Sequence, residues 1–175
     1  MSVSRRDLLR WQFDLTWSLF EVHLEQLKPE DFGWEPAAHC WAVRRDADGA
    51  WTPDWADTEP EPIPVPTIGW VGWHLGWWWT VTLDHAQGRK PRHRTEIAWP
   101  GDGQAAIDWL RGLRLEWLAV LDRLTDTELD ATAPFPWPDS PELTVAHMAG
   151  WVNAELMKNA AEIGQLRLLR TASLV

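Results

Sequence analysis

The segment spanning residues 67–86, TIGWVGWHLGWWWTVTLDHA, restricts the fold more than any other stretch of the chain. Ile68, Val71, Leu75, Trp78 and Thr82 recur at helical spacing and form one ridge, and Trp70, Trp73, Trp77 and Val81 form a second beside it. A helix that is apolar on nearly every side must be covered on nearly every side. This one is therefore expected to be the most buried element of a helical domain. Thr67 offers an N-cap hydroxyl, and Gly88 marks the end.

Three other segments are available to cover it. In residues 4–27, Leu8, Trp11, Leu15, Leu19 and Val22 follow helical spacing, and Leu9, Phe20, Leu24 and Leu27 widen the stripe. Pro29 then stops the hydrogen-bond ladder. A third helix is expected from an Asp102 cap to about residue 124, with Ile107, Leu110, Leu113, Trp117, Val120, Leu121 and Leu124 inward. The fourth runs over residues 144–170. No segment alternates with period two, so a sheet is not expected. Four long helices in one chain of 175 residues predict an all-α fold, a four-helix bundle forming a single domain over residues 1–175.

Between the first two helices lies a long Pro/Trp-rich loop, residues 32–66, with Trp34, Trp41, Trp51 and Trp55 and an extended, proline-alternating stretch at 59–66. Long irregular connections are functional or disordered, and the tryptophans argue that this one packs onto the bundle. The chain holds 16 Trp and no Tyr, which reads as core and rim packing, with an aromatic-binding surface as the sharper alternative. A net charge of -10 argues against a nucleic-acid partner. No uncharged apolar run is long enough for a signal peptide core or a membrane span. Cys40 is the only cysteine, which excludes an internal disulfide and fits a cytoplasmic location. Gly-rich phosphate loops, Gly-x-Ser-x-Gly elbows and Cys-x-x-Cys pairs are absent.

Chemistry concentrates on the last helix. Glu155, Asn159 and Glu162 fall in one column at helical spacing, Lys158 lies beside both glutamates, and His147 sits two turns before Glu155. The second helix offers His74 among Trp70, Trp77 and Trp78. Imidazole and carboxylate groups that converge from facing helices are how a bundle builds a metal site, and three such ligands leave a position open for water or substrate. By spacing alone, His74 reads as a hydrogen-bonded core histidine rather than a ligand, and His147 as a hydrogen-bonded or partly exposed one near a helix start.

The pattern resembles the DinB-like superfamily of four-helix bundles, which includes thiol-dependent S-transferases and the N-terminal domain of mycothiol-dependent maleylpyruvate isomerase. The likeness covers nearly the whole chain and rests on Trp73-His74-Leu75 and on Ala161-Glu162-Ile163-Gly164-Gln165-Leu166-Arg167. It implies a divalent metal, zinc or nickel, held by His74, Glu162 and Glu155. It also implies a small thiol and a small apolar substrate as partners, and a homodimer. Family patterns place histidines on the last helix where this chain has Lys158 and Asn159. An ammonium is a donor only and binds no metal. Two readings follow. In one, His74, Glu155 and Glu162 keep the ion, and the protein is a metal-assisted transferase. In the other, Lys158 replaces the ion within a buried ion-pair cluster with Glu162 and Glu155, no metal is bound, and the bundle is a non-catalytic ligand-binding or dimerising module.

Overall fold

A computed structural model describes residues 3–174. Four long helices, α1 (Arg5–Leu24), α2 (Ile68–Ala86), α3 (Gly103–Arg123) and α5 (Val145–Ala172), form the bundle, with a short α4 (Asp126–Asp130) before the last. The caps follow the sequence. The side chains of Ser4, Thr67, Asp102 and Thr125 accept from the backbone N–H groups of Asp7, Trp70, Ala105 and Glu128. No described helix is long and apolar enough to cross a membrane.

Helix α2 lies at the centre, with fifteen of its nineteen residues buried. Trp73 and Trp79 are fully enclosed, as are Phe13 and Phe20 of α1 and Trp117 of α3. Gly76 lets α3 come close, because a Cβ there would lie 2.0 Å from the Trp109 ring. Helix α1 differs from the expectation. Phe13, Thr16, Trp17, Phe20 and Leu24 face the core, while Leu8, Trp11, Leu15, Leu19 and Val22 are exposed. The helix carries apolar stripes on two opposite faces, and the one with the larger aromatic rings is turned inward.

The long loop between α1 and α2 holds four short strands that its sequence did not announce. β1 (Cys40–Trp41) pairs in parallel with β4 (Val65–Pro66), and β2 (Val43–Arg45) pairs antiparallel with β3 (Trp51–Pro53). Strands of two or three residues are too short to show a period. The loop packs down as expected. Trp41 stacks on Trp70 at 4.9 Å, Trp51 meets Trp99 edge-on at 5.0 Å, and Trp55 meets Trp77 at 5.3 Å. The Gly69 N–H donates to the Phe32 carbonyl and the Trp70 indole N–H to the Asp54 carbonyl.

Among the described residues Asp31 and Asp84 are buried carboxylates, and Asp84 is the deeper. The Asp84 side chain, near the end of α2, is only 2% exposed, and it accepts hydrogen bonds from Arg89 at 2.9 Å and from the Arg92 Nε at 2.8 Å. Burial alone would raise its pKa, but the bonds and charges of the two guanidiniums carry it below the ordinary carboxylate value. This triad folds the basic turn after α2 back onto the helix. The two sides of the pair are not equivalent, since the arginines are half-exposed and can return to water, whereas the carboxylate cannot. Replacing both Arg89 and Arg92 by Ala is expected to destabilise by about 3–5 kcal/mol in urea unfolding, with Asp84→Asn costing about 1–3 kcal/mol.

Candidate functional site

Helices α2 and α5 are joined through a buried polar contact. The Trp78 indole N–H donates to Asn159 Oδ1 at 3.0 Å, and Asn159 Nδ2 donates to Glu162 Oε2 at 2.8 Å. Asn159 is 1% exposed, so its amide is satisfied by protein rather than by water. The contact fixes the register of the two helices and places His74, one turn before Trp78, within electrostatic reach of Glu155 and Lys158.

The His74 ring lies flat against Trp70, with centroids 5.2 Å apart and planes 9° from parallel, and meets Trp77 edge-on at 5.6 Å. Burial pushes its pKa down to about 4, the Lys158 ammonium adds to that effect, and Glu155 opposes it. The imidazole is therefore neutral at physiological pH. The protein holds fewer protons on it than the unfolded chain does between pH 6.5 and about 4. Its contribution to stability is thus complete above pH 6.5 and is lost as the pH falls through that window, by roughly 3 kcal/mol.

Lys158 Nζ lies 2.5 Å from Glu155 Oε2. The pair is not buried: the lysine side chain is 49% exposed and the glutamate 23%. Its partner is Glu155 at i-3, while Glu162 is engaged by Asn159. The side chains singled out from the sequence thus fall into two groups. His74, Trp70, Trp77, Lys158 and Glu155 form one polar and aromatic cluster, and Trp78, Asn159 and Glu162 form the buried link beside it. His147 joins neither. It is exposed in the first turn of α5, where its Nδ1 accepts from the Thr144 N–H at 3.0 Å, and it lies eight residues, about 12 Å, along the helix from Glu155.

Among the described residues, no group of three or more His, Cys, Asp or Glu side chains is arranged to hold a metal ion. The donor chemistry agrees with that geometry. One carboxylate is held by an ammonium that cannot ligate, and the other by an amide whose oxygen is itself taken by an indole. As they stand, these residues do not fit a resident metal.

Two contributors escape a spacing analysis centred on charge. Trp151 meets Trp78 edge-on at 5.2 Å and packs against Phe135 and Trp137. Its position four residues before Glu155 was the available signal. Arg94 places its guanidinium 4.2 Å over Trp55, the loop tryptophan that also meets Trp73 and Trp77. Only the tertiary fold brings those segments together.

A four-helix bundle with an aromatic-walled polar cluster between its second and last long helices is the class that fold and site define. The family model of the DinB superfamily matches residues 12–163, and the chain belongs to that superfamily. No curated protein matches it.

Two outcomes test the site's physics. The His74 ring protons should titrate in NMR with a midpoint near 4, and Lys158→Gln should raise that midpoint; a value at or above 6.5 in the parent would contradict the assigned burial and charge. Asn159→Ala should destabilise by about 1–3 kcal/mol in denaturant unfolding, because it strands the Trp78 indole N–H in the core.

Proposed function

We propose that this DinB-superfamily protein is a non-catalytic, metal-independent bundle, that Lys158 stands in the place of the family's metal, and that the cluster around His74 receives a small, largely apolar ligand. The observation that carries the reading is the 2.5 Å ion pair between Lys158 and Glu155, at the position where the resemblance implies a metal ligand. An ammonium there supplies permanently the positive charge that an ion would supply when bound. The half-buried Trp77 offers apolar ring surface, the half-exposed ammonium can meet an anionic group, and the neutral imidazole can accept a hydrogen bond.

A metal-assisted, thiol-dependent transferase is the second reading, and the retention of His74 and Glu162 favours it. Magnitudes weigh against the metal-free form of that chemistry. Moving a proton from a free thiol to an imidazole whose pKa is about 4 is uphill by roughly 6 kcal/mol, so His74 is a poor base for making a thiolate unaided. The free thiol of Cys40 supports placing the protein in the reducing cytoplasm.

Elemental analysis of untagged protein after incubation with zinc, nickel and manganese separates the readings. Substoichiometric metal is expected in the parent. Lys158→His should bind zinc, since it supplies an imidazole and frees Glu155. One equivalent of metal in the parent would restore the transferase reading, and no gain in Lys158→His would show that position 158 is not where the ion belongs.

A further inference from the structure

A cavity of about 320 Å³ lies away from the cluster around His74, where α2 and α3 meet the chain that follows α2. Thr80 and Ile97, both buried, form its floor, and Arg92, Glu96, Pro100 and the half-buried Trp109 form its walls. Its size is at the small end of the range for ligand sites. Thr80 comes six residues after His74 on α2, so it sits about 120° around the helix and roughly 9 Å further along it.

The two charged walls are fixed, and not by each other. Arg92 donates to the buried Asp84 from Nε at 2.8 Å and from Nη2 at 2.9 Å, which leaves Nη1 without a partner among the described residues. Glu96 accepts the His93 N–H through Oε2 at 2.7 Å, which leaves Oε1 without one. The Glu96 charge acts on Arg92 electrostatically, yet among the described residues the two form no ion pair. A guanidinium and a carboxylate that share a cavity can pair directly when nothing else holds them. Here each is held back by its own anchor, so a cation and an anion stand open on one small space. The chain after Glu96 is held as well, because the Trp73 indole N–H donates to the Ile97 carbonyl at 2.7 Å. Thr80 adds a third polar group. Its hydroxyl has no partner among the described residues, whereas Thr82 donates to the Trp78 carbonyl one turn back. A buried hydroxyl without a partner carries a cost that a ligand oxygen would remove.

We propose that this cavity binds a small zwitterion, a free α-amino acid with an apolar side chain. Its carboxylate meets Arg92 Nη1 and the Thr80 hydroxyl, its ammonium meets Glu96 Oε1, and its side chain rests on Trp109 and Pro100. An α-amino acid carries both charges within a few atoms, and neither wall has to give up an existing bond to receive it. A simple anion would leave Glu96 facing it unpaired, and a simple cation would do the same to Arg92. The pair of walls therefore selects for a ligand that carries both charges. The groups that receive it are already held in place, which lowers the ordering cost of binding.

NMR titration of the Trp109 indole N–H, assigned through Trp109→Phe, tests the site with L-leucine as the probe. L-Leucine is expected to saturate with a Kd below about 1 mM. N-acetyl-L-leucine lacks the ammonium and L-leucinamide lacks the carboxylate, and each should bind at least ~10-fold more weakly. Glu96→Gln, at an exposed position, should weaken L-leucine at least ~10-fold and leave N-acetyl-L-leucine unchanged, with far-UV circular dichroism unaltered. Thr80→Val keeps the shape and removes only the hydroxyl, so it should weaken L-leucine and N-acetyl-L-leucine alike. No saturation by L-leucine up to about 10 mM would overturn the proposal. So would equal binding of N-acetyl-L-leucine, which marks an anion site only, equal binding of L-leucinamide, which marks a cation site only, or indifference of L-leucine to Glu96→Gln.

Discussion

The enclosure of α2 governs the rest of the molecule. A helix with indoles on several faces gains stability only if other apolar surface surrounds it, at roughly 25 cal/mol for each Å² removed from water. Helices α1, α3 and α5 supply that surface on three sides, and the long loop closes the fourth through Trp41 on Trp70 and Trp55 on Trp77. Polar groups within the enclosure must then find partners inside the protein. Asp84 finds two arginines, and Asn159 finds both an indole and a carboxylate. Of these, the Trp78–Asn159 contact turns burial into a defined register, because a slip of α2 along α5 would leave it unpaired.

Much of this was legible in the residues. Helix periods, the caps at Thr67 and Asp102, and the packing role of the loop tryptophans follow from spacing and turn chemistry. The orientation of α1 did not. Its two apolar stripes are about half a turn apart, so both satisfy a helical period and neither is marked as inward. The choice falls to Phe13, Trp17 and Phe20, whose rings fill the space around Trp79, and that space is known only once α2 is in place.

At the site, spacing grouped Glu155, Asn159 and Glu162 correctly as one column and could not say which partner each would take. Lys158 has glutamates on both sides at helical reach. Glu155 wins because Asn159 occupies Glu162, and Asn159 is held there by Trp78 from another helix. His147 was drawn in by spacing as well, and the capping geometry at Thr144 takes it out of reach. Local pattern identifies candidates, and competition for partners across helices assigns them.

Trp70 is held twice by the loop, through its ring against Trp41 and through its N–H on the Asp54 carbonyl, and the same indole is the surface on which His74 lies. The loop therefore reaches the imidazole through one side chain, while the helices carry the register independently of it. A change within residues 32–66 that displaces Trp41 or Asp54 would therefore shift the ring on which His74 lies, while the Trp78–Asn159 contact between α2 and α5 involves no loop residue. The bundle thus sets where the polar cluster lies, and the loop sets the ring against which its imidazole rests.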